Sequence, residues 1–295
     1  MSLPLESVPN VSEGRETDVL AALRAAFSSP ARLLDVHTDW DHHRSVFTLV
    51  GSGDDLAQTL LAGIRCAAER IDLRRHEGAH PRIGAADVVP LVPLEPAAEP
   101  AAREAALALA DRIAAELGLP VFFYGRLTED GREPAFLRRG GPEVLQRRID
   151  AGEIAPDRGP AQLHPTAGGV LVGVRRPLVA FNVNLRTDEV AIAKEIARLV
   201  RERDGGFPGV RALGLELPKA GLTQVSMNVT DWEAAALHEI VSRIVTEAER
   251  RGVAVAGSEL VGLMPAGAAV EAAGAVLRIE GFEPSRVLEL RLLDG

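Results

Sequence analysis

Two lysines, one cysteine and one tyrosine are all this 295-residue chain has of those residue types. The single thiol, Cys66, leaves no partner for an internal disulfide and no thiolate set for a structural zinc. No apolar run reaches the ~18–20 residues a membrane-spanning helix needs. The opening "MSLPLESVPN" has neither the basic nor the apolar region of a secretory signal. The expectation is a cytoplasmic chain with no membrane role. Basic excess is missing too. A net charge of −9 argues against nucleic acid as a partner, whose binders carry a basic face. It leaves room for a small anionic ligand, because local charge decides that, and nearly all the cations here are arginines. What remains is ordinary for a globular protein, with 46% hydrophobic and 25% charged residues. The length suits two modest domains or one large one.

One short stretch tests a specific chemistry. Residues 76–80 read "HEGAH", the H-E-x-x-H pattern of zinc proteases, which needs both histidines on one face of a continuing helix. Gly78 interrupts such a helix, and Pro81 pushes His80 out of the helical region. The expectation is an extended His80 and no bound metal, with His37, His42, His43, His76 and His80 as the ligands a zinc reading would call on.

Along the chain a pattern repeats. "LPLESVP" (3–9) has strand character, 15–27 is amphipathic, and "ARLLDVH" and "RSVFTLVG" form a hairpin through 38–43. The stretch 54–71 has helical spacing with Ser52 or Asp54 placed to cap it, and "ADVVPLVPL" returns as a strand. The same order of strand, helix, strand, strand, helix, strand recurs through 177–185, 187–202, "VRALGLEL", "LTQVSMNV", 231–250 and "GVAVAGSEL", with Asp231 as the N-cap of the last helix. Each half reads as a split βαβ unit. The fold class expected is α+β: two ferredoxin-like subdomains, 1–176 and 177–295, with sheets facing each other across a cleft. Between the repeats lie a helix at 97–117, a strand "PVFFYG" and a loop-rich connector, 125–169.

Several segments then carry a family resemblance. "VPNVSEG", "DHHRSVFTLVG", "RRHEGAHPRIGAADVVP", "GPAQLHPTAGG", "LVAFNVNL", "LTQVSMNVTDWEAAALHEI" and "GSELVGLMP" follow in order over nearly the whole chain, and together they resemble the formiminotransferase family. The resemblance implies two similar α/β subdomains, usually in a homodimer. It also implies an activity that moves a formimino group from N-formimino-L-glutamate to N5 of tetrahydrofolate, a co-substrate, in histidine degradation. Formyl transfer, a donor other than glutamate, and a folate-binding protein without turnover stay open as alternatives.

The resemblance makes His80 of "HPRIGA" the catalytic residue. One imidazole with a pKa near neutrality suits the chemistry, since N5 must lose a proton and the departing nitrogen must gain one. It also makes the segment Gly159, Pro160, Ala161, Gln162, Leu163, His164, Pro165, Thr166, Ala167 and Gly168 the folate-binding loop. Arg82 lies two residues past His80, so in an extended segment it shares that side. Its fork suits a substrate carboxylate, and Arg44 is a second such candidate. The chain departs from the animal members in having His37 for an acidic residue, His43 for an asparagine and Ala167 for an aromatic. Asp39 and Asp41 are the nearby carboxylates able to replace the missing one. In "AFNVNL", Asn182 and Asn184 alternate and so face one side of a strand, where buried amides need partners.

Overall fold

The computed structural model describes residues 3–293; residues 1–2 and 294–295, the outer ends of the two expected subdomains, lie outside the described residues. Two compact units are present, 1–176 and 177–295.

The first unit opens with one strand in two pieces, β1 (Leu5–Ser7) and β2 (Asn10–Val11), followed by α1 (Thr17–Ala26). The hairpin β3 (Arg32–Asp39) and β4 (Arg44–Gly51) comes next, then α2 (Gly53–Arg70) and β5 (Ala86–Pro93). Ser52 caps α2, its side chain accepting the Asp55 amide at 3.2 Å. In the sheet the opening strand lies antiparallel between β4 and β5, and β3 pairs with β4. This is the split βαβ order expected from the sequence. The chain then adds α3 (Glu99–Arg112), which runs into a π-helical turn over Ile113–Leu117, and β6 (Val121–Gly125).

The connector is more ordered than its loop-like composition suggests. It holds α4 (Pro134–Arg138) and α5 (Gly141–Asp150) before the strand β7 (Val170–Val174), which pairs in parallel with both β5 and β6. Helices α1, α2 and α3 bury one sheet face through Phe27, Leu60 and Leu109 packed with Phe47, Leu49 and Leu91. Leu137, Leu145 and Ile149 of α4 and α5 cover part of the other face through Phe122, Tyr124 and Leu171. Where β2 meets β5, Asn10 opposes Val88 and Val11 opposes Ala86, so Asp87 is a bulged extra residue. A bulge re-aims a side chain.

The second unit contains β8 (Val179–Leu185), α6 (Val190–Val200), β9 (Val210–Leu217), β10 (Leu222–Val229), α7 (Leu237–Glu249), β11 (Val255–Val261), α8 (Ala266–Leu277) and α9 (Leu288–Leu293). Its antiparallel sheet runs β11-β8-β10-β9, again the split βαβ order. Val183, Leu185 and Val225 face Ile196, Ile240 and Ile244 of the helices. One expectation is corrected: Asp231 does not cap the helix. Its Oδ1 accepts the Ala234 amide at 3.2 Å and closes a separate turn, and α7 starts only after Ala236.

No helix among the described residues is long and apolar enough to cross a membrane.

Candidate active site

The site is built where the β3–β4 hairpin meets the loop 76–82. Asp39 ends β3 and its Oδ1 accepts the His42 amide at 2.6 Å, which tightens the turn. His43 sits in the left-handed region at φ +48°, uncommon for a residue with a side chain. Its ring stacks on His76 with centroids 3.9 Å apart. His43 Nδ1 lies 2.9 Å from the Glu77 carbonyl and Nε2 lies 3.1 Å from Glu13 Oε1. That same Glu13 oxygen accepts the amides of Gly14, Arg15 and Glu16. Burial opposes ionisation of Glu13, but the bonds from His43 and the amides prevail and hold its pKa at about 2.

No helix passes through 76–80. The loop lies directly on the hairpin turn, with the Ala79 amide donating to the Asp41 carbonyl at 3.1 Å. Gly78 permits this approach, since a Cβ there would fall 2.5 Å from the His42 carbonyl oxygen. Arg82 fastens the two segments. Its Nε and Nη2 donate to the His80 carbonyl, Nη2 also to that of His42, and Nη1 to that of His43. Nη1 is also 2.8 Å from His76 Nε2. Every arm of the Arg82 fork is occupied, so in this state it positions the loop and offers nothing to a substrate carboxylate. His76, pressed by burial, Arg82 and His43, has its pKa lowered to about 4.

His80 Nδ1 lies 2.8 Å from the Pro81 carbonyl, which only accepts, so Nδ1 carries the proton. Arg44 Nη1 lies 2.8 Å from both ring nitrogens, and with Nδ1 protonated it is Nε2 whose lone pair accepts from it. Burial first, then Arg44, Arg138 and His42, hold the His80 pKa well below the ordinary histidine value. It is a neutral base with its lone pair capped by a cation.

Arg44 is unusual in its company. Nη2 donates to Asn10 Oδ1, Nη1 to His80, and the buried Nε has no partner. Among the described residues no carboxylate forms an ion pair with it. Burial and Arg138 lower its pKa to about 9 while Asp87 raises it, so it stays charged at neutral pH. The bulged Asp87 accepts the Ile83 amide at 2.8 Å and pairs with Arg138 of α4 at 2.5 Å. Glu13, Asn10, Asp87 and Arg138 are site residues that sequence reasoning missed. Asp41 contributes its backbone carbonyl here and Asp39 its turn cap.

The segment 159–168 is joined to the same loop. The Leu73 amide donates to Thr166, that of Ala85 to Ala167, and that of Gly169 to Ile83, at 2.8 to 3.0 Å. Gly168, at φ +68°, lies so close that a Cβ would meet the Ile83 oxygen at 2.0 Å. His164 Nδ1 accepts the amides of Thr166 and Ala167. Within the segment Gly159, Pro160, Ala161, Gln162 and Pro165 are exposed, Leu163, His164 and Thr166 half-buried, and Ala167 and Gly168 buried. The Ala167 side chain belongs to the core.

In the second unit Asn182 and Asn184 do share a sheet face. Asn182 donates to Glu259 at 3.0 Å, and Gln224 donates to Asn184 at 2.9 Å. Asn182 and Gln224 are buried. Among the described residues no three His, Cys, Asp or Glu side chains gather as a metal site.

A neutral imidazole beside a guanidinium that lacks a carboxylate describes an acid–base site for a small carboxylate-bearing substrate. The chain belongs to the formiminotransferase family: the formiminotransferase domain, N-terminal subdomain, matches residues 4–175, and the formiminotransferase domain matches residues 180–282. It is 39% identical to a glutamate formimidoyltransferase of Streptococcus pyogenes, over 99% of this chain and 100% of that one. A glutamate formimidoyltransferase of Thermoplasma acidophilum is 37% identical over 99% of this chain and 98% of its own length. The formimidoyltransferase-cyclodeaminase of Sus scrofa is 38% identical over 92% of this chain, a match spanning 52% of that protein.

Proposed function

We propose that this chain transfers the formimino group of N-formimino-L-glutamate to N5 of tetrahydrofolate, giving 5-formiminotetrahydrofolate and glutamate. The observation that carries the reading is buried His80, whose Nδ1 lies 2.8 Å from the Pro81 carbonyl, which makes Nε2 the nitrogen without a proton. The N5 lone pair attacks the amidinium carbon, the π pair of its C=N bond moves onto the formimino nitrogen as the new carbon–nitrogen bond forms, and Nε2 takes the N5 proton. The tetrahedral species then collapses. The lone pair of the formimino nitrogen re-forms the C=N bond, the bond to the glutamate nitrogen breaks with its electron pair, and His80 returns the proton to that nitrogen. A single base thus serves both halves, and no net proton is consumed.

Around it, Arg44 receives a donor carboxylate, and Arg82 keeps the loop on the hairpin. Segment 159–168 offers backbone groups to the folate, with Gly159, Pro160, Ala161, Gln162 and Pro165 exposed to do so. Residues 1–176 hold the catalytic histidine and the folate segment. Homodimeric assembly and a cytoplasmic location go with this reading.

A donor screen with tetrahydrofolate tests it, following the absorbance of the folate product. Turnover with N-formimino-L-glutamate, and far less with N-formyl-L-glutamate, is expected. Turnover with the formyl donor alone, or folate binding without any turnover, would overturn it.

A further inference from the structure

Arg44 and His80 form a pair that the reaction as written does not explain. A general base is most useful with its lone pair open, yet Nε2 of His80 accepts a hydrogen bond from Arg44 Nη1. The same guanidinium has a buried Nε with no partner, and among the described residues no carboxylate forms an ion pair with it, Asp87 acting on it only from a distance. Only Asn10 holds its far end, through Nη2. A cation held this loosely by neutral groups is an anion site in waiting.

We propose that the α-carboxylate of the donor docks on Arg44, draws Nη1 from His80 Nε2, and so uncovers the base only when the donor is in place. This deepens the formimino-transfer reading and rests on it. Covalent chemistry selects the α- rather than the γ-carboxylate. The α-carboxylate is borne by the same carbon as the nitrogen that must leave, whereas the γ-carboxylate stands two methylenes further away. Nη1 is 2.8 Å from Nε2, so a carboxylate on the fork brings that nitrogen beside the ring that must protonate it. The charged and titratable groups around His80 are Arg44 of β4, His42 of the turn, Arg82 and Asp87 of the loop and bulge, and Arg138 of α4. Of these, Arg82 and Arg138 already have their partners, which leaves Arg44 as the one to respond.

The full-length protein labelled in its histidine rings reports the exchange directly, with the His80 signal assigned from its loss in His80→Asn. Saturating L-glutamate is expected to raise the His80 titration midpoint by about one unit or more, because a carboxylate neutralises the nearest cation. γ-Aminobutyrate, which keeps the γ-carboxylate alone, is expected to leave it unmoved. In Arg44→Gln the midpoint starts high and glutamate no longer shifts it. Arg44→Lys, which keeps the charge but loses the fork, is expected to show a weaker response to glutamate. In the transfer assay, a donor without the α-carboxylate is expected to lose roughly 10- to 100-fold in kcat/KM with the wild type, the scale of a charged hydrogen bond. With Arg44→Gln it should lose almost nothing relative to the intact donor. Equal shifts with glutamate and γ-aminobutyrate, or none with either while the wild type still turns over N-formimino-L-glutamate, would overturn the gate and leave the transfer reading standing. Absence of turnover with that donor strikes the transfer reading itself.

Discussion

Replacing His80 by alanine is expected to lower turnover by ~10²-fold or more, the scale of a lost general acid–base group, with folate affinity little changed. His76→Ala is expected to be far milder in a steady-state assay, because His76 stacks on His43 and touches Arg82 rather than presenting a lone pair to a substrate. Equal losses in the two variants would point to a shared role instead. These two rings also make the fold sensitive to acid. The folded pKa of His76 is about 4 against 6.5 ordinarily, and that of His80 is lower than ordinary as well. Below pH 6.5 the unfolded chain therefore binds protons that the folded one refuses, so stability falls as the pH drops from 6.5 toward 4. Glu13 acts in a lower window. Its folded pKa of about 2 lies below the ordinary 4.5, so its contribution is present above 4.5 and lost on descending toward 2. Thermal melts at pH 7 and pH 5 should show the first loss, and His76→Gln should shrink it.

Helix α4 has five residues, yet it sends Arg138 to the bulged Asp87, which in turn holds the Ile83 amide at the end of the loop that bears His80. Arg138→Leu leaves a buried carboxylate without its cation and is expected to destabilise the fold by about 3–5 kcal/mol, read as a lower urea midpoint. Asp87→Asn keeps the amide bond to Ile83 and should fall between wild type and Arg138→Leu. The long elements were legible in the sequence because their periodicity was strong. The hairpin, α2, β5, and the strands β8 to β11 stand close to where the pattern placed them. Shorter pieces were hidden by their composition. Pro134 and the run Gly140, Gly141, Pro142 bracket α4 and α5 and read as loop, and "VLVGV" of β7 is a five-residue apolar run with no alternation. Within the site, the segment bearing His80 could be picked out in the sequence. Glu13, Asp87 and Arg138 could not, since folding gathers them from distant positions and a bulge, which leaves no periodic trace, aims one of them.

At the scale of the whole chain, the second unit gathers three amides and one carboxylate on one sheet face: Asn182, Asn184, Gln224 and Glu259. A double variant, Asn182→Ala with Asn184→Ala, is expected to lower the thermal midpoint, because Glu259 and Gln224 lose the side chains they pair with on that face. An unchanged melting temperature would show that these bonds do not hold the second unit together. Within the first unit, the amides of Leu73, Ala85 and Gly169 sew the stretch that bears His80 to segment 159–168. A seam of that kind makes the two loops a single thermal object. Their amides should exchange with deuterium at one common rate, slowing together when folate alone is added, so that one co-substrate quiets the loop that must meet the other.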